Sequence, residues 1–373
     1  MELKPTTITS LTPLRGIAAL MVAIFHFDAV VANFVNQQHS MIIHKCYLMV
    51  DLFFIMSGFI MLHVYGEKFD ISIQKKDFLK FIGARFARVY PLHLFTLLVL
   101  VAIFYGLHQP PSPISNPSAI VTHLLLLHSF GIHKIFTWNV PSWSISAEWW
   151  AYMIFPLLVL FLKKFKNTGV VILSIISITM YFSIVYFLPR VNPFVPTLPV
   201  PHNLDVTYDY GYIRGIAGFI AGMITYIGFQ QNAVLKYFNS DFVSILLILA
   251  TILLFHFGVN DLFSIVCFIL LVLAIASNKK GIYKLFQLKP LQYLGDISYS
   301  IYLTHGLAMF YLAIPLMSKL GYVSKGPGGL QIPFLSGLWT CGVYLIAVIL
   351  FSTITYYLIE KPCRNWLNKK FHK

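Results

Sequence analysis

The sequence predicts an all-α fold: a polytopic membrane helical bundle of about ten transmembrane helices plus a short re-entrant or interfacial helix, with both termini cytoplasmic. Three observations predict it. The chain has 373 residues, of which 58% are hydrophobic and only 11% charged. A soluble domain carries about 25% charged residues, so most of this chain faces lipid or other buried helices. The apolar residues fall in long runs, and the mean hydropathy is +0.76. The cations fall between those runs. The formal charge of +14 would suit nucleic acid if it formed one patch. Instead Lys and Arg sit in short interhelical clusters, as cytoplasmic loops facing anionic lipid do.

A spanning helix needs roughly 20 mostly apolar residues. Ten segments qualify: 11–32, 46–65, 89–107, 145–163, 169–188, 209–229, 241–257, 261–278, 295–317 and 333–358. The stretch 119–131 is apolar but short, and contains His123 and His128. With the N-terminus inside, the inner loops and C-terminal tail hold 20 of the 27 Lys and Arg, and the outer loops hold 5. Counting 119–131 as a crossing would put Lys163, Lys164 and Lys166 outside, so it is read as interfacial or re-entrant. The segments 108–118 and 189–202 are proline-rich and cannot be long helices. No polar stretch is long enough for a second domain, so residues 1–373 read as one transmembrane domain. The first apolar run lacks a cleavage site and reads as a span, not a signal peptide. Cys46, Cys267, Cys341 and Cys363 form no CxxC pair, so no metal site or disulfide framework is expected. No internal repeat of the transporter kind is visible.

Ionisable residues inside spans are costly and mark functional candidates. Arg15 and His26 lie eleven residues apart on the first span, which puts them on one helix face about 16 Å apart. Arg15 sits at the inner boundary and His26 near mid-membrane. Snorkelling of Arg15 and a helix–helix hydrogen bond from His26 would explain each residue alone. Asp28 falls near the opposite face, and orients His26 only if the helix breaks there. Glu148 enters the fourth span from the outer side. His305 and Tyr302 lie inside the ninth span, and Ser57 precedes Gly58 in the second, where such a pair suits close helix packing. Arg85 and Arg88 are three residues apart at the inner mouth. They could present two guanidinium groups to a phosphate, or simply obey the positive-inside rule. These residues fit a proton-coupled transporter as well as an enzyme joining a cytoplasmic donor to an outer acceptor.

Six elements together resemble the acyltransferase family 3 membrane proteins. The Arg-to-His spacing is Arg15 to His26. Phe53-Phe54-Ile55-Met56-Ser57-Gly58-Phe59 matches the family's Phe-Phe-x-x-Ser-Gly-Phe. Arg85, Arg88 and Pro91 match Arg-x-x-Arg-x-x-Pro. Ser142-Trp143-Ser144 through Glu148 is similar to Ser-Leu-x-x-Glu, with Trp143 where Leu is common. Ser298 to His305 is similar to Ser-Tyr-x-x-Tyr-x-x-His, and Glu360-Lys361-Pro362 to the C-terminal Glu-x-Pro.

The resemblance implies transfer of an acyl group, usually acetyl from acetyl-CoA, to a hydroxyl of an extracytoplasmic or lipid-linked carbohydrate such as O-antigen, lipopolysaccharide or exopolysaccharide. It implies the bacterial inner membrane. No tightly bound cofactor or metal and no nucleic acid are expected; acyl-CoA, the carbohydrate acceptor and the lipid bilayer are the partners, and a homo-oligomer is left open. No fused extracytoplasmic hydrolase-like domain is expected. His26, Arg15 and Glu148 are the catalytic candidates. Arg85, Arg88 and Arg15 are those for the donor. Ser57, Tyr302, His305 and Asp28 are candidates to line the site. His26 serves as general base or as carrier of an acyl group. The alternatives are a proton-coupled transporter or flippase for an envelope intermediate, and a membrane sensor or scaffold.

Overall fold

The computed structural model describes residues 8–32, 35–108, 114–189, 202–321, 324–326, 329–331 and 334–371. In order the helices are α1 Leu11–Phe27, α2 Met49–Tyr65, α3 Lys75–Gly106, α4 Ala119–Leu124, α5 Trp143–Tyr186, α6 Gly211–Phe229, α7 Asn232–Phe238, α8 Asp241–His256, α9 Asp261–Ser277, α10 Gly281–Phe286, α11 Lys289–Asp296, α12 Ser298–Ala308, α13 Ile314–Lys319, α14 Phe334–Thr355 and α15 Lys361–Phe371. One antiparallel hairpin pairs β1 Ser324–Gly326 with β2 Gly329–Gln331.

All ten expected spans fall on helix. Seven helical segments among the described residues are long and apolar enough to cross a bilayer, and eight if the bent pair α7 and α8 counts as one. The difference has local causes. The expected 145–163 and 169–188 are two helices that run into one another through a kink at Lys166, where φ is 47° and ψ is −127°, so the α5 range counts once although it holds two segments. α8 meets α7 at 74°, and α9, at Asp261–Ser277, has 17 residues, the short end of the range that crosses a bilayer. The 119–131 stretch yields only the six-residue α4 followed by turns, so it is no span. The expected proline-rich connections lie largely outside the described residues, at 109–113 and 190–201.

The chain divides into two compact units. Of the described residues, the first comprises those within 51–235 and 359–371. In it α2 crosses α6 at near backbone contact. A Cβ on Gly58 would stand 1.9 Å from the Phe219 carbonyl oxygen, and one on Gly222 would stand 1.9 Å from that of Ile55. Only glycine permits this approach, and it is what the Ser57–Gly58 pair secures for packing. Phe69, Phe81, Phe155 and Phe219, all buried, pack edge to face and tilted beneath the crossing. α15 returns onto α3, where the Phe371 ring covers Gly83. Arg214 of α6 and Asp51 of α2 form a buried bidentate pair, at 3.1 Å from Nε to Oδ1 and 2.5 Å from Nη2 to Oδ2. Tyr181 donates a third bond to that carboxylate.

The second unit comprises 8–50 and 236–358. Here α1 packs on α11, with Gly295 so close to Thr12 that a Cβ would meet its carbonyl oxygen at 2.1 Å. Asp261, buried at the start of α9, receives Lys45 Nζ and the Tyr47 hydroxyl, each at 2.6 Å. Asp241 caps the short α10 by accepting the amides of Gly281 and Ile282 at 2.9 Å. Of the four cysteines, Cys46, Cys267 and Cys341 are buried; Cys363, on α15, is partly exposed.

Candidate active site

The second unit contains a histidine dyad. His26 closes α1, and His305 projects from α12. Their rings lie 4.8 Å apart between centroids, and His305 Nε2 is 3.2 Å from His26 Nδ1. His26 Nδ1 also lies 3.0 Å from the Val22 carbonyl oxygen, and His305 Nδ1 lies 3.3 Å from that of Ile301. Carbonyl oxygens only accept, so both Nδ1 atoms carry hydrogen. His305 Nε2 is then bare and accepts from His26 Nδ1–H. The opposite tautomers would set lone pairs against both carbonyls. One nitrogen remains, His26 Nε2. It is unprotonated, and no group among the described residues donates to it. A half-buried imidazole with a fixed tautomer and an available lone pair can take a proton from a hydroxyl.

The dyad is held from behind. His305 is fully buried, and the Tyr344 hydroxyl donates to its carbonyl at 3.4 Å. Tyr344 also stacks on Phe27, the residue after His26, at 4.7 Å. Tyr302 is buried, with its ring edge toward His305 at 6.1 Å. Thr304 bonds Ser352 of α14 at 3.1 Å, which ties α12 in place. Arg15 lies half-buried on α1. Asp28 is buried at the point where α1 widens into a π turn, Asp28–Ala32. The helix does change there, yet Asp28 makes no hydrogen bond to His26. His305 takes the orienting place considered for Asp28.

The first unit contains a carboxylate cluster. Glu148 Oε1 accepts from Ser57 Oγ at 2.7 Å and from the Tyr152 hydroxyl at 2.5 Å, and those two hydroxyls are 3.1 Å apart. Glu148 Oε2 has no partner among the described residues. Arg85 sits over the rings of Tyr65 and Tyr152, at 5.2 and 5.9 Å, and donates to the Tyr65 hydroxyl at 3.0 Å. Its Nε is buried with no acceptor, and among the described residues no carboxylate lies within ion-pair distance. Arg88 differs: it pairs with Glu360, which also receives Arg364 at 3.4 Å. The expected phosphate tweezers thus separate into one arginine already neutralised and one that is not. Both lie further from their helix start than the sequence suggests. α3 begins at Lys75 rather than near residue 89, which leaves Arg85 about 15 Å along it.

Sequence reasoning missed three features. Tyr152 was detectable as the residue four beyond Glu148, on the same helix face. The Asp51–Arg214 pair joins separate helices and carries no local signal. The third is a stack of imidazoles in the first unit, formed by His93, His123 and His128. The rings are near parallel, with interplanar angles of 7°, 1° and 6° and centroids 5.8, 5.5 and 3.8 Å apart. His93 Nε2 donates to the His123 carbonyl at 3.0 Å, and His128 Nε2 to that of Ser142 at 2.9 Å. All three Nδ1 atoms are buried without partners. Lone pairs lie in the ring planes, so parallel rings do not converge on a metal, and no cluster among the described residues is placed to hold one. Burial, and then the neighbouring imidazoles, hold His123 well below the usual histidine range; burial and His93 push His128 down to about 3.

A helical membrane protein with such a dyad belongs to the class of multi-pass proteins equipped for proton transfer within a span, and comparison with known proteins supplies the family. The acyltransferase domain model matches residues 8–357. The chain belongs to the acyltransferase family 3 membrane proteins. Among curated proteins it is similar to acyltransferase MdmB of Streptomyces mycarofaciens, 26% identical over 97% of this chain and 92% of that protein. It is similar to O-acetyltransferase OatA of Staphylococcus aureus, 25% identical over 97% of this chain but only 58% of that longer protein. Protein 2 in the picA locus of Rhizobium radiobacter is 32% identical over 39% of this chain. No solved structure matches.

Proposed function

We propose that this acyltransferase moves an acyl group, acetyl in the first instance, from cytoplasmic acyl-CoA to a hydroxyl of an extracytoplasmic or lipid-linked carbohydrate in the bacterial inner membrane. The observation that carries the reading is the bare Nε2 of His26, fixed by His305. His26 Nε2 accepts the acceptor's O–H proton as its oxygen attacks the thioester carbonyl. The C–O bond forms, the C–S bond breaks, and the imidazolium returns its proton to the leaving thiolate. In the charged state His26 Nδ1–H still donates to His305 and Val22, which stabilises the cation. A path through an acyl group on His26 Nε2 uses the same lone pair. In the first unit, Arg85 is assigned to a donor phosphate, because it is the arginine lacking an anion. Glu148 is assigned to hold an acceptor hydroxyl through Oε2. Arg88 keeps the reading's donor side only indirectly, by fixing Glu360.

The test uses inverted vesicles containing the protein and host envelope glycans, supplied with labelled acetyl-CoA. Wild type is expected to put base-labile label in the glycan and release CoA, and His26→Ala to do neither. Glycan movement without CoA release would overturn transfer in favour of transport. Equal labelling by His26→Ala would remove His26 from the role.

A further inference from the structure

A cavity in the first unit is lined by none of the groups just described. It measures about 360 Å³ between the last turn of α2, the middle of α5 and the end of α6. Its lining combines an apolar set, Leu62, Val159 and Ile227, with the cations Lys163 and Lys166. The polar floor is a hydrogen-bonded chain. Gln230 Nε2 can only donate, so the Tyr226 hydroxyl accepts from it at 3.2 Å, and that hydroxyl also bonds His63 Nδ1 at 3.1 Å.

We infer that this cavity binds an anionic phospholipid, with its phosphate on Lys163 and Lys166 and an acyl chain along Leu62, Val159 and Ile227. Four observations point to that occupant. The lining is amphipathic, with apolar and basic side chains together, as the ligand is. The basic charge of the lining is not cancelled. Lys166 has no ion-pair partner among the described residues, and Lys163 reaches Asp70 only at 3.7 Å through side chains 55% and 32% exposed. Such a contact is weak in water. Glu67 is the acidic residue in the lining, set against two lysines. The backbone is strained at this point. Lys166 holds a positive φ that breaks α5 beside the cavity, and a non-glycine residue in that region costs free energy that sites of ligand contact commonly retain. Finally, α5, which carries Val159, Lys163 and Lys166 of the lining, exposes Leu157, Val171 and Ile175 at 61%, 57% and 59%. In a bilayer such exposed apolar side chains meet lipid, so the helix that lines the cavity is itself in contact with phospholipid. Basic pockets between spanning helices at the cytoplasmic interface suit acidic headgroups.

The experiment is native mass spectrometry of the purified full chain, given phosphatidylglycerol or phosphatidylcholine in equal amount, together with the KM for acyl-CoA. Wild type should retain phosphatidylglycerol in preference. Lys163→Gln with Lys166→Gln should reduce that retention about thirtyfold, from two lost lysine–headgroup attractions. Ile227→Trp, which fills the apolar part of the lining with the lysines intact, should reduce it as well. The KM should not move in either variant. Equal retention of the two lipids by wild type, or unchanged retention in both variants, would overturn the assignment. A raised KM with lipid retention intact would also overturn it, and would give the cavity to the phosphates of the acyl donor.

Discussion

At the scale of single residues the reading rests on which nitrogen holds which hydrogen. Replacing His26 by Ala should lower kcat about 10²- to 10⁴-fold, the usual worth of a general base, in an acetyl-transfer assay. Replacing His305 separates a positioning role from a structural one. His305→Phe removes the acceptor for His26 Nδ1–H; losing a bond to a charged group costs about 1.5–3 kcal/mol, or about ten- to a hundredfold in rate. His305→Gln restores an accepting oxygen and should recover part of kcat, with the KM of both substrates unchanged. Equal loss in the two variants would count against orientation. The sequence presented Arg15 and His26 as a pair because one helix carries both. It ranked His305 lower because 279 residues separate it from His26, and only the packing of α12 on α1 brings them together. The stacked histidines give a pH prediction. His128 titrates near 3 in the fold and near 6.5 when unfolded, so between those values the unfolded chain binds more protons. Stability is therefore full above about pH 6.5 and falls as the pH drops toward 3, by up to about 1.4 kcal/mol per pH unit for this imidazole. Thermal unfolding in detergent from pH 8 to 5 should show a falling Tm, with a shallower slope in His128→Phe.

At the scale of elements, the α2–α6 crossing depends on two glycines. Gly58→Ala or Gly222→Ala drives a methyl into a backbone carbonyl and should cost about 1–3 kcal/mol or more. Gly342→Ala on α14, with open space around it, should be neutral or gain up to about 1 kcal/mol from helix propensity. Comparing the three melting temperatures isolates the crossing from a general cost of methyl groups. Glu360→Gln should loosen α15, because a fully buried carboxylate serves both Arg88 and Arg364. Limited proteolysis after residue 360 would report it. The helices themselves were visible from apolar run length alone. The break at Lys166 was visible too, because Lys163, Lys164 and Lys166 interrupt the apolar run there. The 74° bend between α7 and α8 was not, since it leaves no mark in hydropathy.

At the scale of the whole molecule, the charge bias predicts which loops face the cytoplasm. Cysteines placed at exposed Lys279 and Lys134 should label from opposite sides of sealed vesicles, Lys279 from the inside and Lys134 from the outside. Labelling from the same side would break the topology on which the cytoplasmic donor rests. Family membership was legible because six short elements recur in order over most of the chain, each too small to identify it alone. The division into two compact units was not, since each is assembled from segments distant in sequence.

Three thiols are buried and one, Cys363 on α15, is within reach of solvent. The wild-type chain is therefore close to a single-attachment scaffold for spectroscopy. A maleimide fluorophore should couple at one position without first stripping the other cysteines. Paired with one engineered site, it would report distances across the working enzyme during turnover.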